Sequence, residues 1–214
     1  MHYPAFLDLR NRPVLVVGGG MIAERKVETL LETGALVTVV SPEITEQLRN
    51  HAQSRRITLL QRVFASADID GMSLVISATD DPETQTHVAS VAASKNVFVN
   101  TVDKPELCSF IVPAILRRGD ITIAISTAGK SPALAAELRA RLGRVLTEDF
   151  ARTATVLGTV RHEVHEQFTD SDERKRVFDS IINSGIVEWI GGYDDEAALE
   201  RVRNMIKGIV DKAS

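Results

Sequence analysis

The residues best suited to chemistry are three small ones near the start of the chain. Gly18, Gly20 and Ala23 fit the pattern G-x-G-x-x-G/A directly after the apolar run 14–17. The first glycine permits a tight turn, the second lets the backbone approach a pyrophosphate, and the alanine lets a helix pack closely on a strand. Amides and the dipole at the start of that helix favour an anion. The pattern predicts a dinucleotide site, with a structural turn or another phosphate ligand as the alternatives.

Polar residues after two other predicted strands extend this site. Ser41, Pro42 and Glu43 follow the second strand, and Thr79 and Asp80 follow the fourth. No acid stands at the end of the second strand itself, and no arginine lies near Glu43, which mildly favours NAD over NADP. The residues predicted to bind the cofactor NAD are Gly18, Gly20, Met21, Ile22, Ser41, Pro42, Glu43, Thr79 and Asp80.

Strand and helix patterns alternate through the first half of the chain. Strands are predicted at 14–17, 36–40, 57–61, 74–78 and 97–99, with helices from residue 22, over 44–52 and from Pro82. This alternation predicts a Rossmann-type α/β domain, a parallel sheet with right-handed crossovers. Asp103 follows the fifth strand. We therefore expect its loop to meet those of Gly18, Ser41 and Thr79 at one crevice.

The pattern changes near Phe110. Segments 111–116 and 121–125 predict a hairpin that turns at Gly119, and Ser131 is placed to cap the next helix. That helix carries Leu134, Leu138 and Leu142 on one face, and helices are then predicted at 156–168, 173–183 and 196–212. The predicted domains are 1–112, 113–145 and 146–214, the last one all-helical. Gly129-Lys130-Ser131 is not a P-loop, because Ala124 stands where that motif needs glycine.

Composition narrows the class of protein. The chain has 214 residues, a net charge of -4 and 25% charged residues, which argues against a nucleic-acid binder. No apolar run approaches the roughly 20 residues that span a bilayer, and the N-terminus lacks a signal-peptide core. The single cysteine, Cys108, excludes an internal disulfide. These features predict a cytoplasmic protein with no membrane or nucleic-acid partner.

No protein-bound metal site is predicted. His162-Glu163-Val164-His165 is one residue short of H-E-x-x-H, so a pair of surface histidines on a helix is favoured. Cys108 could bind a soft metal, but a buried thiol between Leu107 and Phe110 is favoured.

Four segments taken together resemble a known family. They are VVGGGMIAERK, ATDDPETQ, NTVDKPELCSFIVPAI and ISTAGKSPALAAELR, within about residues 3–145. They resemble the precorrin-2 dehydrogenase / sirohydrochlorin ferrochelatase family, which includes the N-terminal part of siroheme synthase. The resemblance implies NAD-dependent oxidation of precorrin-2 to sirohydrochlorin, and in some members insertion of ferrous iron. It also implies a homodimer in which segment 113–145 supplies much of the interface.

The resemblance also implies roles for single residues. Asp103 matches the aspartate that the family uses in catalysis, and it is the candidate general base for a reaction that removes a hydride and a proton. The alternative is a loop aspartate that holds backbone N–H groups. Thr127 stands where some members carry a serine that can be phosphorylated.

A tetrapyrrole substrate that carries several carboxylates requires a basic site. Residues 104–144 contain seven basic residues against three acidic ones, in a chain that is acidic overall. The residues predicted to bind substrate are Arg117, Arg118, Thr127 and Lys130. For Arg139 and Arg141 a solvated helix face is favoured.

Two other functions compete with this one. A module that only senses NAD(H) would need neither a base nor a basic cradle. The third hypothesis is a dehydrogenase of an ordinary small metabolite. The lack of a His or Lys catalytic pair beside the crevice argues weakly against it.

Overall fold

The computed structural model describes residues 2–213, with side chains up to Val210. The chain divides into two compact units between Val112 and Pro113. This division coincides with the first predicted domain boundary. The second boundary, between residues 145 and 146, falls inside the second unit, and the three-domain division remains a prediction.

The first unit is a five-stranded parallel sheet flanked by helices, in the strand order β3-β2-β1-β4-β5. Its strands are β1 (Pro13–Val17), β2 (Leu36–Val40), β3 (Thr58–Leu60), β4 (Leu74–Ser77) and β5 (Phe98–Thr101). Its helices are α1 (Met21–Glu32), α2 (Glu46–Gln53) and α3 (Pro82–Ser94), with 3₁₀ turns at Ser66–Ile69 and Pro105–Leu107. The predicted Rossmann-type fold is confirmed.

Both faces of this sheet are buried, which explains why its central strands are apolar without alternation. Val14 and Val16 of β1 pack with Val27 of α1 on one face. Leu15 and Val17 pack on the other face, with Val88 of α3. Because β1 pairs with both β2 and β4, the loops that follow these three strands emerge side by side.

Several predicted boundaries in this unit shift by one or two residues, and two of these shifts have a clear local reason. Strand β5 continues past the predicted residue 99 to Thr101, because Thr101 pairs in register with Ser77 of β4. Helix α2 begins at Glu46 and not at Ile44, because the side chain of Thr45 accepts a hydrogen bond from the amide of Leu48.

The second unit begins with the predicted hairpin, shifted along the chain. Strands β6 (Ala114–Arg118) and β7 (Ile121–Ile125) pair antiparallel and turn at Gly119, which has a φ of +52°. The first strand was predicted from residue 111. Pro113 has no N–H to donate, and the strand starts just after it.

Helices complete the second unit. They are α4 (Pro132–Val145), α5 (Glu148–Gln167), α6 (Ser171–Asn183), α7 (Ile186–Trp189), which a 3₁₀ turn (Ile190–Gly192) follows, and α8 (Asp195–Ala213). Helix α5 begins before the predicted residue 156. The stretch at 186–192 lies between the predicted helices 173–183 and 196–212, and it is helical because it buries Ile186 and Ile190 against Val160 of α5 and Ile181 of α6.

Helix α4 begins as predicted, since the Ser131 side chain accepts from the amide of Leu134. Its predicted apolar face is exposed: Leu134, Leu138 and Leu142 are 51%, 38% and 37% accessible. Across the described residues, no helix combines the length and the hydropathy that crossing a bilayer requires.

Candidate functional site

A cavity of about 560 Å³ opens where β1, β2 and β4 end. We call it the glycine-loop cavity. Its lining is Gly18, Gly19, Gly20, Met21, Ile22, Ser41, Pro42, Glu43, Ile44, Thr45, Ala78, Thr79, Asp80 and Asp81. All nine residues predicted to bind the cofactor are in this lining. Its volume lies within the range of roughly 300–1,000 Å³ usual for small-molecule sites.

Two of the glycines are required because the backbone passes very close to neighbouring loops. A Cβ at Gly18 would lie 2.3 Å from the carbonyl oxygen of Ala78, and φ at Gly18 is +118°. A Cβ at Gly19 would lie 2.0 Å from the carbonyl oxygen of Glu43. These contacts bring the three loops together around the cavity.

Gly20 has a different role, because it leaves the start of α1 open. It is the N-cap of that helix and provides no side-chain cap, and a Cβ built on it would meet nothing within 4 Å. Amides in the first turn of a helix lack intrahelical acceptors, and the helix dipole adds positive potential there. This end of α1 therefore fits a pyrophosphate.

The loop after β2 places hydroxyl and carboxylate groups on one side of the cavity. The Ser41 hydroxyl donates to the carbonyl of Glu43 at 2.6 Å, and the amide of Thr45 donates to the carbonyl of Gly19 at 2.9 Å. Glu43 is exposed and is an available acceptor for ribose hydroxyls. The lining contains no arginine, and the nearby Arg62 is paired with Asp68. This arrangement supports NAD over a 2′-phosphorylated cofactor.

The loop after β4 is fixed by the start of α3. Asp81 caps that helix, and its carboxylate accepts from the amides of Glu83 and Thr84 and from the Thr84 hydroxyl. These hydrogen bonds, the one from the Thr84 side chain first, lower the pKa of Asp81. Gln85 donates to the carbonyl of Thr79 at 2.7 Å. Sequence reasoning missed Asp81 as a lining residue, although an aspartate directly before a proline in a first helical turn is a recognisable cap.

Asp103 is not in the lining of the glycine-loop cavity. The expected meeting of four loops holds for three, because β5 is the edge strand and its loop stands one strand further out. Asp103 is exposed, with a φ of +58°. Burial and then Arg25 lower the pKa of Lys26 on α1, and the charge of Asp103 opposes that shift. Asp103 is thus in electrostatic reach of α1, and its catalytic role remains a prediction.

The four predicted substrate residues all belong to the second unit. The Thr127 hydroxyl accepts from the Ser131 amide at 3.0 Å and donates to its carbonyl at 3.1 Å, and Lys130 is exposed. Both arginines are on β6, where Arg118 donates to the carbonyl of Arg117. Their role in substrate binding remains a prediction.

Two arginines that were not predicted to bind substrate are exposed on α4. Arg141 pairs with Glu137 at 2.8 Å along the helix, and Arg139 is exposed. Both positions match the solvated helix face favoured from the sequence.

The candidate metal ligands do not assemble in the described part of the chain. Among the side chains described, residues 2–210, no three from His, Cys, Asp or Glu form a group that could hold a metal ion. His162 is 84% exposed at its side chain and faces Glu166 at 3.7 Å. Cys108 is half-buried and hydrogen-bonded to its own loop.

Comparison with known families identifies the first unit. The family described as "Putative NAD(P)-binding" matches residues 5–114, more than half of the chain. The chain belongs to this family. The finding supports NAD as the cofactor, in agreement with the prediction. A second family, described as "Sirohaem biosynthesis protein central", matches residues 118–144.

Individual relatives agree with both family matches. The siroheme synthase of Methylobacillus flagellatus is 40% identical over 96% of this chain and 44% of its own length. The siroheme synthase of Pseudoalteromonas translucida is 37% identical over 96% of this chain and 43% of its own length. The chain thus spans less than half the length of these curated relatives.

A solved structure matches both units. The structure of SirC, described as a precorrin-2 dehydrogenase, has a TM-score of 0.74 and 25% identity, and the match covers 99% of this chain and 100% of that one. The comparisons confirm the resemblance to the precorrin-2 dehydrogenase / sirohydrochlorin ferrochelatase family.

Proposed function

We propose that this chain oxidises precorrin-2 to sirohydrochlorin with NAD. The observation that carries the proposal is the glycine-loop cavity, where three loops meet at the carboxyl edge of the sheet, the position at which folds of this class bind dinucleotides. Likeness to siroheme synthases over nearly the whole chain, and to a precorrin-2 dehydrogenase structure, supports the choice of substrate.

Different residues of the cavity bind different parts of NAD in this proposal. The backbone at Gly20 and the first turn of α1 receive the pyrophosphate, and the Glu43 carboxylate accepts from ribose hydroxyls. When bound, NAD supplies the acceptor for the hydride. Thr79 and Asp80, held by the cap of α3, complete the wall that follows β4.

In this proposal Asp103 removes the proton that accompanies hydride loss. Its carboxylate is exposed, and it stands one strand outside the cavity wall formed by Ala78 and Thr79. The basic groups of Arg117, Arg118 and Lys130 bind the carboxylates of the substrate, and Thr127, whose hydroxyl is bonded to Ser131, holds the turn that presents Lys130. The proposed substrate is therefore held by side chains of the second unit.

The proposal extends to a second reaction and to assembly. The name of the siroheme synthase relatives supports insertion of ferrous iron into sirohydrochlorin, with iron arriving as a substrate. The exposed leucines of α4 support a homodimer through this helix. The cytoplasm is the proposed location, since the chain has one cysteine and no disulfide partner for it.

Replacement of the base tests the dehydrogenase proposal. We expect Asp103→Asn to lower kcat for precorrin-2 oxidation by a factor of about 100 or more, because a positioned general base contributes roughly 10²–10⁴. The Kd for NAD should change little, since Asp103 is not in the cavity lining. Anaerobic absorbance and NAD(H) fluorescence measure these two quantities.

Glu106→Gln is the matched control for this test. Glu106 is an exposed acid three residues along the same loop, and its variant should keep wild-type turnover. Full activity in Asp103→Asn would remove the assignment of the base. A wild-type chain that binds NAD but neither turns over precorrin-2 nor binds sirohydrochlorin would instead be a sensor.

A further inference from the structure

The loop that carries Asp103 is organised around a thiol. This loop runs from Thr101 at the end of β5 to Cys108, and we call it the Asp103 loop. The amide of Thr101 donates to Sγ of Cys108 at 3.2 Å. The thiol proton has two acceptors, the carbonyl oxygens of Thr101 at 3.2 Å and Lys104 at 3.3 Å. Cys108 therefore contacts the backbone on both sides of Asp103.

Further contacts tie this thiol to the sheet. The side-chain amide of Asn100 donates to the carbonyl of Phe110 at 3.0 Å and lies 3.6 Å from Sγ of Cys108. Thr101 is only 2% exposed and pairs with Ser77 of β4. The loop therefore begins at a buried strand end. The hydrogen bonds of the thiol connect residues 101 and 104 to this fixed point.

Asp103 needs such support because of its backbone. Its φ of +58° lies in the left-handed region, which aspartate tolerates better than most residues but does not favour. A residue persists in such a conformation when its surroundings fix the backbone on either side. The carbonyl of Thr101, two residues before Asp103, and the carbonyl of Lys104, directly after it, both accept from the thiol.

We propose that Cys108 is a positioning residue, whose thiol fixes the turn that presents the Asp103 carboxylate. The inference rests on the proposed function for its consequence in catalysis. Cys108 does not touch substrate in this scheme. It acts by joining the amide of Thr101 to the carbonyls on both sides of Asp103, and a small displacement of a catalytic group can cost a factor of about 10² in rate.

The chain offers a matched control one residue away. The Ser109 hydroxyl accepts from the Val99 amide at 2.8 Å and donates to the Val99 carbonyl at 3.3 Å. It makes a comparable set of bonds from the same segment to β5, but to Val99 and not to the residues around Asp103. Loss of these bonds should destabilise the segment without displacing the carboxylate.

The test compares Cys108→Ala, Cys108→Ser and Ser109→Ala in the whole chain. We expect Cys108→Ala to lower kcat for precorrin-2 oxidation by about tenfold or more, with KM for NAD within about twofold. Cys108→Ser keeps a donor and an acceptor and should recover part of the loss. Ser109→Ala should keep kcat even if its Tm falls as far as that of Cys108→Ala. Equal kcat losses in the two alanine variants, or an unchanged kcat in Cys108→Ala, would overturn the proposal.

Hydrogen exchange separates this inference from the proposed function. The amides of Lys104 and Leu107 donate to the carbonyls of Thr101 and Lys104 and report on the loop without turnover. Faster exchange of both amides in Cys108→Ala than in Ser109→Ala supports positioning by the thiol even if the wild-type chain does not oxidise precorrin-2. Equal exchange in the two variants would overturn the positioning role whatever the wild-type activity.

Discussion

Three consecutive glycines in the lining of the glycine-loop cavity have different roles. Gly18 lets the loop after β1 contact the loop after β4, and Gly19 lets it contact the loop after β2. A Cβ at either position would clash with a backbone carbonyl oxygen of the neighbouring loop. Gly20 borders open space and keeps the first turn of α1 accessible. Substitutions at these positions should therefore separate folding from binding.

Gly20→Ala should weaken NAD binding without unfolding the chain. The added methyl group meets no protein atom within 4 Å, so we expect a stability loss below about 1 kcal/mol. It stands where the pyrophosphate would approach, and we expect Kd for NAD to rise about tenfold, or 1.4 kcal/mol. Fluorescence titration and thermal unfolding measure the two effects.

Two further glycine variants serve as controls for Gly20→Ala. Gly18→Ala should lose at least about 2 kcal/mol of stability, because of the close Ala78 carbonyl and the positive φ. Gly158→Ala, in open space on α5 of the second unit, should leave the NAD affinity unchanged. An unchanged affinity in Gly20→Ala would contradict pyrophosphate binding at this turn.

At the scale of elements, an ion pair holds the connection between β3 and β4. Both oxygens of Asp68 accept from Arg62, at 2.6 and 2.9 Å, and one also accepts from the Ala65 amide at 2.8 Å. The Asp68 side chain is 6% exposed, whereas that of Arg62 is 46% exposed. The hydrogen bonds from Arg62, more than the other contacts, lower the pKa of Asp68.

Asp68→Asn should destabilise the first unit in a pH-dependent way. Hydrogen bonds to charged groups contribute about 1.5–3 kcal/mol, and we expect a loss of that order at pH 7. The folded-state pKa of Asp68 lies below its usual 3.8, so its contribution is complete above that value. It is lost as pH falls through the lower folded-state pKa. Urea unfolding of both proteins from pH 7 down to about pH 3 tests this.

Asp70→Asn is the control for the pH experiment. Asp70 pairs with Lys95, but its side chain is 66% exposed. Exposed pairs contribute about 0–1 kcal/mol, so this variant should stay close to wild type at every pH. Equal losses in the two variants would contradict the special role of Asp68.

At the scale of the whole molecule, each unit has a core of its own. The first unit buries two layers around its sheet, and the second buries one cluster among α5 to α8. Helix α4 contributes little to the second core, with Ala135 as its buried residue. Its exposed stripe of Leu134, Leu138, Leu142 and Val145 is the feature of the second unit that best fits a second copy of the chain.

Leu138→Glu should convert the proposed dimer to a monomer. In a symmetric interface the substitution places two charges among apolar side chains, where burial of an unpaired charge is costly. Sedimentation velocity of the wild-type chain should give the mass of a dimer, and the variant that of one chain. Ala136→Glu, exposed on the opposite side of α4, should remain dimeric. A monomeric wild-type chain would refute this assembly.

The sequence by itself determined the fold of the first unit and nine of the fourteen residues that line the glycine-loop cavity. Gly18 and Gly20, the apolar strands and the polar residues after them are local patterns, and parallel strands must bring such loops to one edge. The cap of α4 at Ser131 was equally local. The start of α5 and the turn at Ile186–Trp189 were not, because burial against other helices decided them.

Only the tertiary structure decided which groups surround Asp103 and which surfaces stay open. The position of Asp103 outside the cavity lining depends on β5 taking the edge of the sheet, and the contacts of Cys108 depend on how the loop folds back on Thr101. The leucines of α4 have the spacing of a buried face, yet they are exposed. Periodicity shows that a face is apolar, whereas the surface that covers it is set by packing between elements or between chains.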